Sequence, residues 1–265
     1  MVPVLGRRRL EAAVNLGLNA VKARLAPESM PEPDGFLLAF WDNLGHRRFD
    51  PATTAVVVAR LMELFPRGVV ARDFLPLLGV PPKGPKLEAL RMVASLEDRA
   101  LALIAAGRLH EKTAVLLSRM SQEDRTRVID LLEDLGVNVN KASEIVGNLY
   151  DLSVLRGKSI CDILAEEQAL RILADDKLPV AERAERLRAL LRAWKVPELV
   201  RNEEEFHSWV QALELPPNVS VQHSQAFESP KCTVEIRVKS REDAQRVLDK
   251  LSGSDLAPQG KALDK

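Results

Sequence analysis

The sequence predicts an α+β protein that is mostly α, and three observations predict it. Aromatic residues are only 4% of the chain, apolar residues reach 46%, and Leu, Ala, Glu and Arg are abundant, a balance that favours helices. Between residues 50 and 177, short apolar-striped segments follow one another with clear stops. Alternation of apolar and polar residues, the mark of a half-buried strand, is confined to short stretches near the two ends.

In chain order, VPVL (Val2–Leu5) reads as the end of a strand stopped by Gly6. A helix follows, with Leu10, Ala13, Val14 and Leu16 near one face and Gly17 as its cap. Asn19–Leu25 alternates Val21, Ala23 and Leu25 and reads as a second strand. PESMPEPDG is a loop by its prolines and glycine. GFLLAFWDNL is a helix burying Phe36, Leu37, Phe40, Trp41 and Leu44, ended by Asn43 and Gly45. Asp50 and Pro51 then cap and open the helical run. Val70–Gly79 is a helix that must accommodate Pro76, and VPPKGP is a break after which helix begins at about Pro85. That helix and four more lead to GKSICDILAEEQALRILAD, and Ser121 with Asp124 marks one of the starts. Leu178–Leu199 is a charged connecting helix with its stripe at Leu187, Leu190, Leu191 and Trp194. EEEFHSWVQALEL, NVSVQHSQ, KCTVEIRVKS and REDAQRVLDKLS form a small α–β–β–α unit. In its second strand Cys232, Val234, Ile236 and Val238 share one face, and Ser240 caps the last helix. Two strands make too small a sheet to stand alone, so pairing with a second copy is expected.

The domain division expected is 1–49, 50–177, a linker helix over 178–202, a dimerising unit over 203–252 and a disordered tail over 253–265. Lys+Arg and Asp+Glu are both 38, so a globally basic nucleic-acid binder is excluded while local patches are not. Cys161 and Cys232 are two lone thiols far apart, which fits a reducing compartment and no disulfide scaffold. No apolar stretch of the ~18 residues a membrane span requires is present. The N-terminus lacks an apolar stretch followed by a cleavage site, so a cytoplasmic protein with no membrane partner is expected. The four histidines have no metal-binding spacing, and GKS at Gly157–Ser159 lacks the upstream glycine of a phosphate-binding loop.

Three stretches resemble the ParB family of chromosome and plasmid partition proteins. GRRRLEAAVNLGLNAV resembles the motif G-(E/H)-R-R-x-x-A-A-x-x-x-G. WDNLGHRRFDPATTA resembles E-N-x-x-R-x-x-L-(N/D)-P-x-E-x-A, with Asp42 in the Glu place and Asn43, Asp50 and Pro51 kept. AAGRLHEKTAVLLSRMSQEDRTRVIDLLEDLGVNVNKASEIV resembles the helical segment after the family's helix-turn-helix. The resemblance implies a partial ParB-like nucleotide-binding region over 1–49, a helix-turn-helix-type middle and a dimerising C-terminus. It implies a clamp on double-stranded DNA, associated with the nucleoid, responsive to CTP with Mg2+ and working with a ParA-type ATPase. It places Gly6, Arg8, Arg9 and Asn43 at the nucleotide.

The chain departs from the family in four places. The family's first strands and Q-x-R segment, which would precede Val2, are not in the sequence; a short natural form or a misassigned start is expected. Arg7 replaces an acidic residue or histidine. LGVPPKGPKLEA stands where the family has L-G-K-S-R-S-T-V-S-N. KTAV stands where it has G-H-A-R, which puts Val115 in the place of an arginine.

Glycine before a helix lets backbone amides approach a phosphate, and arginines add forked donors, so GRRR is read as a phosphate site or as a solvated basic turn. His46, Arg47 and Arg48 form a second basic cluster. Where a recognition helix belongs, Pro81, Pro82 and Pro85 remove backbone donors, and Lys83, Lys86 and Arg91 can reach phosphate without rebuilding a base-reading set. Arg108 and Lys112 join them as DNA-contact candidates. Three function classes follow: a homodimeric ParB-like DNA-binding protein with salt-sensitive affinity; a degenerate member serving as a protein-interaction or regulatory module; and, as the resemblance also implies, a nuclease or nucleotide hydrolase, for which the sequence shows no metal cluster and which would be at most a weak CTP hydrolase dependent on Arg8 and Arg9.

Overall fold

The computed structural model describes residues 3–27, 29–224, 227 and 231–252. The expected disordered tail over 253–265 lies outside these, as does Gln225 at the end of the first C-terminal strand. Two compact units are present, Met1–Gly147 and Asn148–Lys265.

In the first unit, α1 (Arg7–Asn15) ends as its sequence dictates: the Leu18 amide donates to the Ala13 carbonyl and the Gly17 amide to Val14, each at 3.0 Å. The strands expected over Val2–Leu5 and Asn19–Leu25 do not form among the described residues; 3–6 and 18–27 are irregular. The physical reason is pairing. A strand is stable only beside another, and among the described residues the one sheet lies in the C-terminal unit. Among its described residues the region over 1–49 is therefore helical with an irregular connector. Helix α2 (Glu32–His46) runs through Asn43 and Gly45 rather than ending there, and Arg47 stops it by turning extended. Of its expected core residues only Phe40 is buried; Trp41 is half exposed, at 50%. Phe40 meets Phe74 edge-on at 5.7 Å, and Phe74 stacks on Phe65 at 5.4 Å.

Asp50 opens α3 (Pro51–Leu64) by accepting from the Thr53 amide at 2.9 Å, and Ala55, Val58 and Leu61 are fully buried at helical spacing. The next helix resolves the Pro76 conflict by changing pitch. It starts as α4 (Arg67–Val69) and widens into a π turn over Val70–Phe74, where the Leu75 amide reaches the Val70 carbonyl at 3.1 Å. It closes as a 3-10 turn over Pro76–Leu78. Proline has no N–H to offer the carbonyl four residues back, so the wider turn precedes it. Gly79, at φ +70°, then reverses the chain in a conformation that suits glycine.

Helices α5 (Gly84–Ala94), α6 (Asp98–Ala105), α7 (Glu111–Ser118) and α8 (Gln122–Leu135) complete the run, with α5 packed on both α3 and α7. Ser121 caps α8 by accepting from the Asp124 amide at 3.1 Å. Thr113 of α7 is buried and shares a 2.8 Å hydrogen bond with Ser143 of α9 (Val139–Arg156).

The second unit holds α10 (Ile160–Leu164) and α11 (Glu167–Leu173), which split the segment expected as one helix. The charged helix expected over 178–199 is also two: α12 (Val180–Lys195) and α13 (Pro197–Ala212). Proline crowds the residue before it out of helical conformation, and Val196 accordingly sits at φ −134°, ψ 62°. Leu187 and Leu191 are fully buried and α12 packs on α11 and α13, so it is part of the core of its unit. Arg192 grips Glu203 through two 2.6 Å bonds, which together with the neighbouring charge hold the Glu203 carboxyl below its usual range. Strands β1 (Val219–His223) and β2 (Cys232–Ile236) pair antiparallel in the register Val219 to Ile236, and α14 (Arg241–Ser252) follows. Val219 and Val247 are buried there against Leu215 and Ile236. The apolar face of β2 is covered only in part: Cys232 and Ile236 are half-buried, while Val234 and the following Val238 are each 43% exposed. Burial pushes the Cys232 thiol up.

Candidate nucleic-acid interface

The site lies where the first turns of α5 and α7 meet. Leu87, Leu90 and Val93 are buried at spacing three, which fixes α5 and leaves its first turn at the surface. Lys83 is its N-cap in extended conformation, Pro85 sits in the first turn, and the Lys86 amide donates to the Lys83 carbonyl at 3.0 Å. For α7, Leu109 is buried just before the helix, and Thr113, Ala114 and Leu117 are buried within it. His110 is the N-cap and Glu111 the first residue. The Lys86 ammonium bonds the Glu111 carboxylate at 2.5 Å, tying the two helix starts together.

The five sequence-derived DNA candidates divide. Lys83, Arg108 and Lys112 are exposed, and no acidic side chain lies within ion-pair distance of them among the described residues. Lys86 is held by Glu111 and is only 31% exposed. Arg91 bonds Glu88 through Nε at 3.1 Å and a second nitrogen at 2.6 Å. Arg67 reaches the same carboxylate at 2.8 Å. The bond from Arg91, then that from Arg67, hold Glu88 below the usual carboxylate range. So Arg91 belongs to a surface ion-pair group. Its i, i+3 spacing from Glu88 was readable in the sequence. The Lys86 to Glu111 pair, across 25 residues, was not. Val115 is half-buried and carries no charge.

The four nucleotide candidates lie at the start of α1 and near the end of α2. Gly6 precedes α1 at φ +79°, a left-handed value. The Arg9 guanidinium folds over it, so that a Cβ at Gly6 would lie 3.4 Å from Arg9 Nε. Arg8 and Arg9 are exposed. Asn43 turns its amide inward along α2: Nδ2 donates to the Ala39 carbonyl at 2.8 Å and Oδ1 accepts from Arg47 Nε at 3.1 Å. Among the described residues no hydrogen bond or ion pair joins Arg8 or Arg9 to Asn43. His46 lies 3.8 Å from Asp42, and the Arg47 guanidinium stands 5.4 Å from the centre of the Phe49 ring.

Among the described residues no group of three or more His, Cys, Asp and Glu side chains could hold a metal ion, and no helix is long and apolar enough to cross a membrane. Known protein-family models, curated proteins and solved structures contain no match to this chain.

Proposed function

We propose that the protein binds double-stranded DNA through backbone phosphates, as a homodimer, in the manner the resemblance to ParB implies. The observation that carries this reading is the group of cations at the meeting of α5 and α7. Lys83, Arg108 and Lys112 gather on two chain segments that the Lys86 to Glu111 pair fastens together. Such cations attract phosphate without reading bases, and the prolines around Lys83 leave few polar side chains on the first turn of α5 for a major groove. The protein therefore grips DNA with little sequence preference at this helix. Val234, exposed on a sheet of two strands, and Val238, exposed just beyond it, support self-association through the C-terminal unit. CTP with Mg2+ and a ParA-type ATPase stay as ligands to test, resting on the motifs alone.

The test is retention of a labelled duplex across a salt series. Each phosphate contact contributes a slope of roughly 0.9 in log affinity against log salt, so replacing Lys83, Arg108 and Lys112 with Ala flattens the line by about that amount per residue. No retention at low salt defeats the proposal. A second reading, a protein-interaction module that no longer grips DNA, is favoured by the diversion of Lys86 and Arg91 into ion pairs and by uncharged Val115. A stable dimer without duplex retention identifies it.

A further inference from the structure

We infer that Glu111 is a resident competitor for DNA phosphate and that Lys86 is the latent phosphate ligand it occupies. The inference rests on the DNA-binding reading above and deepens it. Three observations carry it. First, Lys86 and Glu111 make their 2.5 Å contact half-buried, with 31% and 29% of their side chains exposed, so each partner keeps one side open to water. An ammonium that water still reaches is also within reach of an outside anion. Second, the pair stands among cations of the candidate interface. Lys83 lies one turn before Lys86, Lys112 follows Glu111, and Arg108 precedes Glu111 by three positions. Glu111 is the one acid in these two stretches, 83–87 and 108–112. Third, a carboxylate and a phosphate present the same kind of anionic oxygen to an ammonium.

Lys86 therefore contributes nothing to DNA while Glu111 holds it and becomes a phosphate contact when Glu111 is displaced. Duplex affinity in the native protein is set by Lys83, Arg108 and Lys112, with Lys86 in reserve. The ligand is the phosphate backbone of duplex DNA, not a free nucleotide.

The experiment compares four full-length proteins on one labelled duplex over a salt series: native, Glu111→Gln, Lys86→Met, and the double variant. Glu111→Gln is expected to tighten binding on the order of tenfold near 0.1 M salt and to steepen the salt line by about 0.9, the signature of one added phosphate contact. Lys86→Met alone leaves the Glu111 carboxylate uncompensated and is expected to weaken binding while the slope of the salt line stays as in the native protein. In the double variant the steepening disappears. An unchanged Glu111→Gln protein, alongside a Lys83→Ala protein that binds more weakly, overturns the inference and leaves the DNA reading standing. Tightening that persists in the double variant also overturns it, because removal of the acid then acts through the general field. If Lys86→Met flattens the salt line by about 0.9, as Lys83→Ala does, Lys86 already touches DNA and Glu111 does not compete. If neither native nor Glu111→Gln protein retains duplex at low salt, the DNA reading itself fails. Should Glu111→Gln not fold, the native and Lys86→Met comparison still decides.

Discussion

Helices α1 and α3 carry comparable apolar spacing and end in opposite states. In α3 the stripe of Ala55, Val58 and Leu61 is wholly buried, because α5 and α6 pack against it. In α1 only Ala13 is buried; Val14 is 68% exposed, and Leu16 just beyond the helix is 76% exposed. Both segments announce an amphipathic helix, and both are helices. What differs is the neighbour. Amphipathic spacing states which side of a helix is apolar, and the rest of the chain decides whether anything covers it. The same holds inside the C-terminal unit, where Ile236 is half-buried and Val234, two residues earlier on the same face of β2, is exposed.

The largest expected effect sharpens this contrast. Leu61→Ala removes a fully buried side chain and leaves a cavity, so it should lower unfolding free energy by about 2–5 kcal/mol in a urea titration. A loss under about 1 kcal/mol would mean that α3 does not pack as described. Next comes the start of the same helix. Asp50→Ala removes a carboxylate that caps the Thr53 amide and should cost about 1 kcal/mol, read from the same titration.

Asp50 also predicts a smaller effect with pH. Burial alone would raise its pKa, but the bonds from the Thr53 hydroxyl and from the Thr53 and Ala52 amides outweigh it, and the group sits below the ordinary aspartate value. A depressed pKa means that the folded state binds this proton less readily than the unfolded chain. The stabilisation is thus complete above the ordinary aspartate range and is lost as pH falls through the folded value. Asp50→Asn keeps a capping oxygen and should show a shallower loss of stability in acid than the native protein. An equally steep acid loss in both proteins would remove Asp50 from the account.

The smallest effects belong to α1. Val14→Ala and Leu16→Ala should change stability by less than about 0.5 kcal/mol, since both side chains are already in water. In hydrogen exchange, amides of α1 should exchange well before those of α3. If Val14→Ala costs as much as Leu61→Ala, the exposed face is covered in solution and the contrast between the two helices collapses.

Caps and stops were readable because their physics is local. Asp50 to Thr53, Ser121 to Asp124 and Gly17 after α1 each involve atoms within five residues. The C-terminal strands were readable from alternation, and they found each other. The same alternation misled over Asn19–Leu25, because alternation signals a pleated face and supplies no partner strand. Pro76 and Pro197 were both visible, but their effects depended on context. One is absorbed by a π turn and the other separates two helices.

The candidate interface divides along the same line. Its cations were visible as residue types, and so was the glutamate three residues before Arg91. That Lys86 is held by Glu111 required the folded chain, because the two are brought together only when α5 and α7 pack. The sequence by itself determined the mostly helical class, most of the caps, the break at VPPKGP and the pair of C-terminal strands, all of which follow from spacing and backbone chemistry within a turn or two. Tertiary structure alone decided which apolar faces are covered, which cations stay free of acids and which candidate strands exist. Each of those outcomes depends on a partner far away in the chain, and the position of a distant partner is a property of the packed fold.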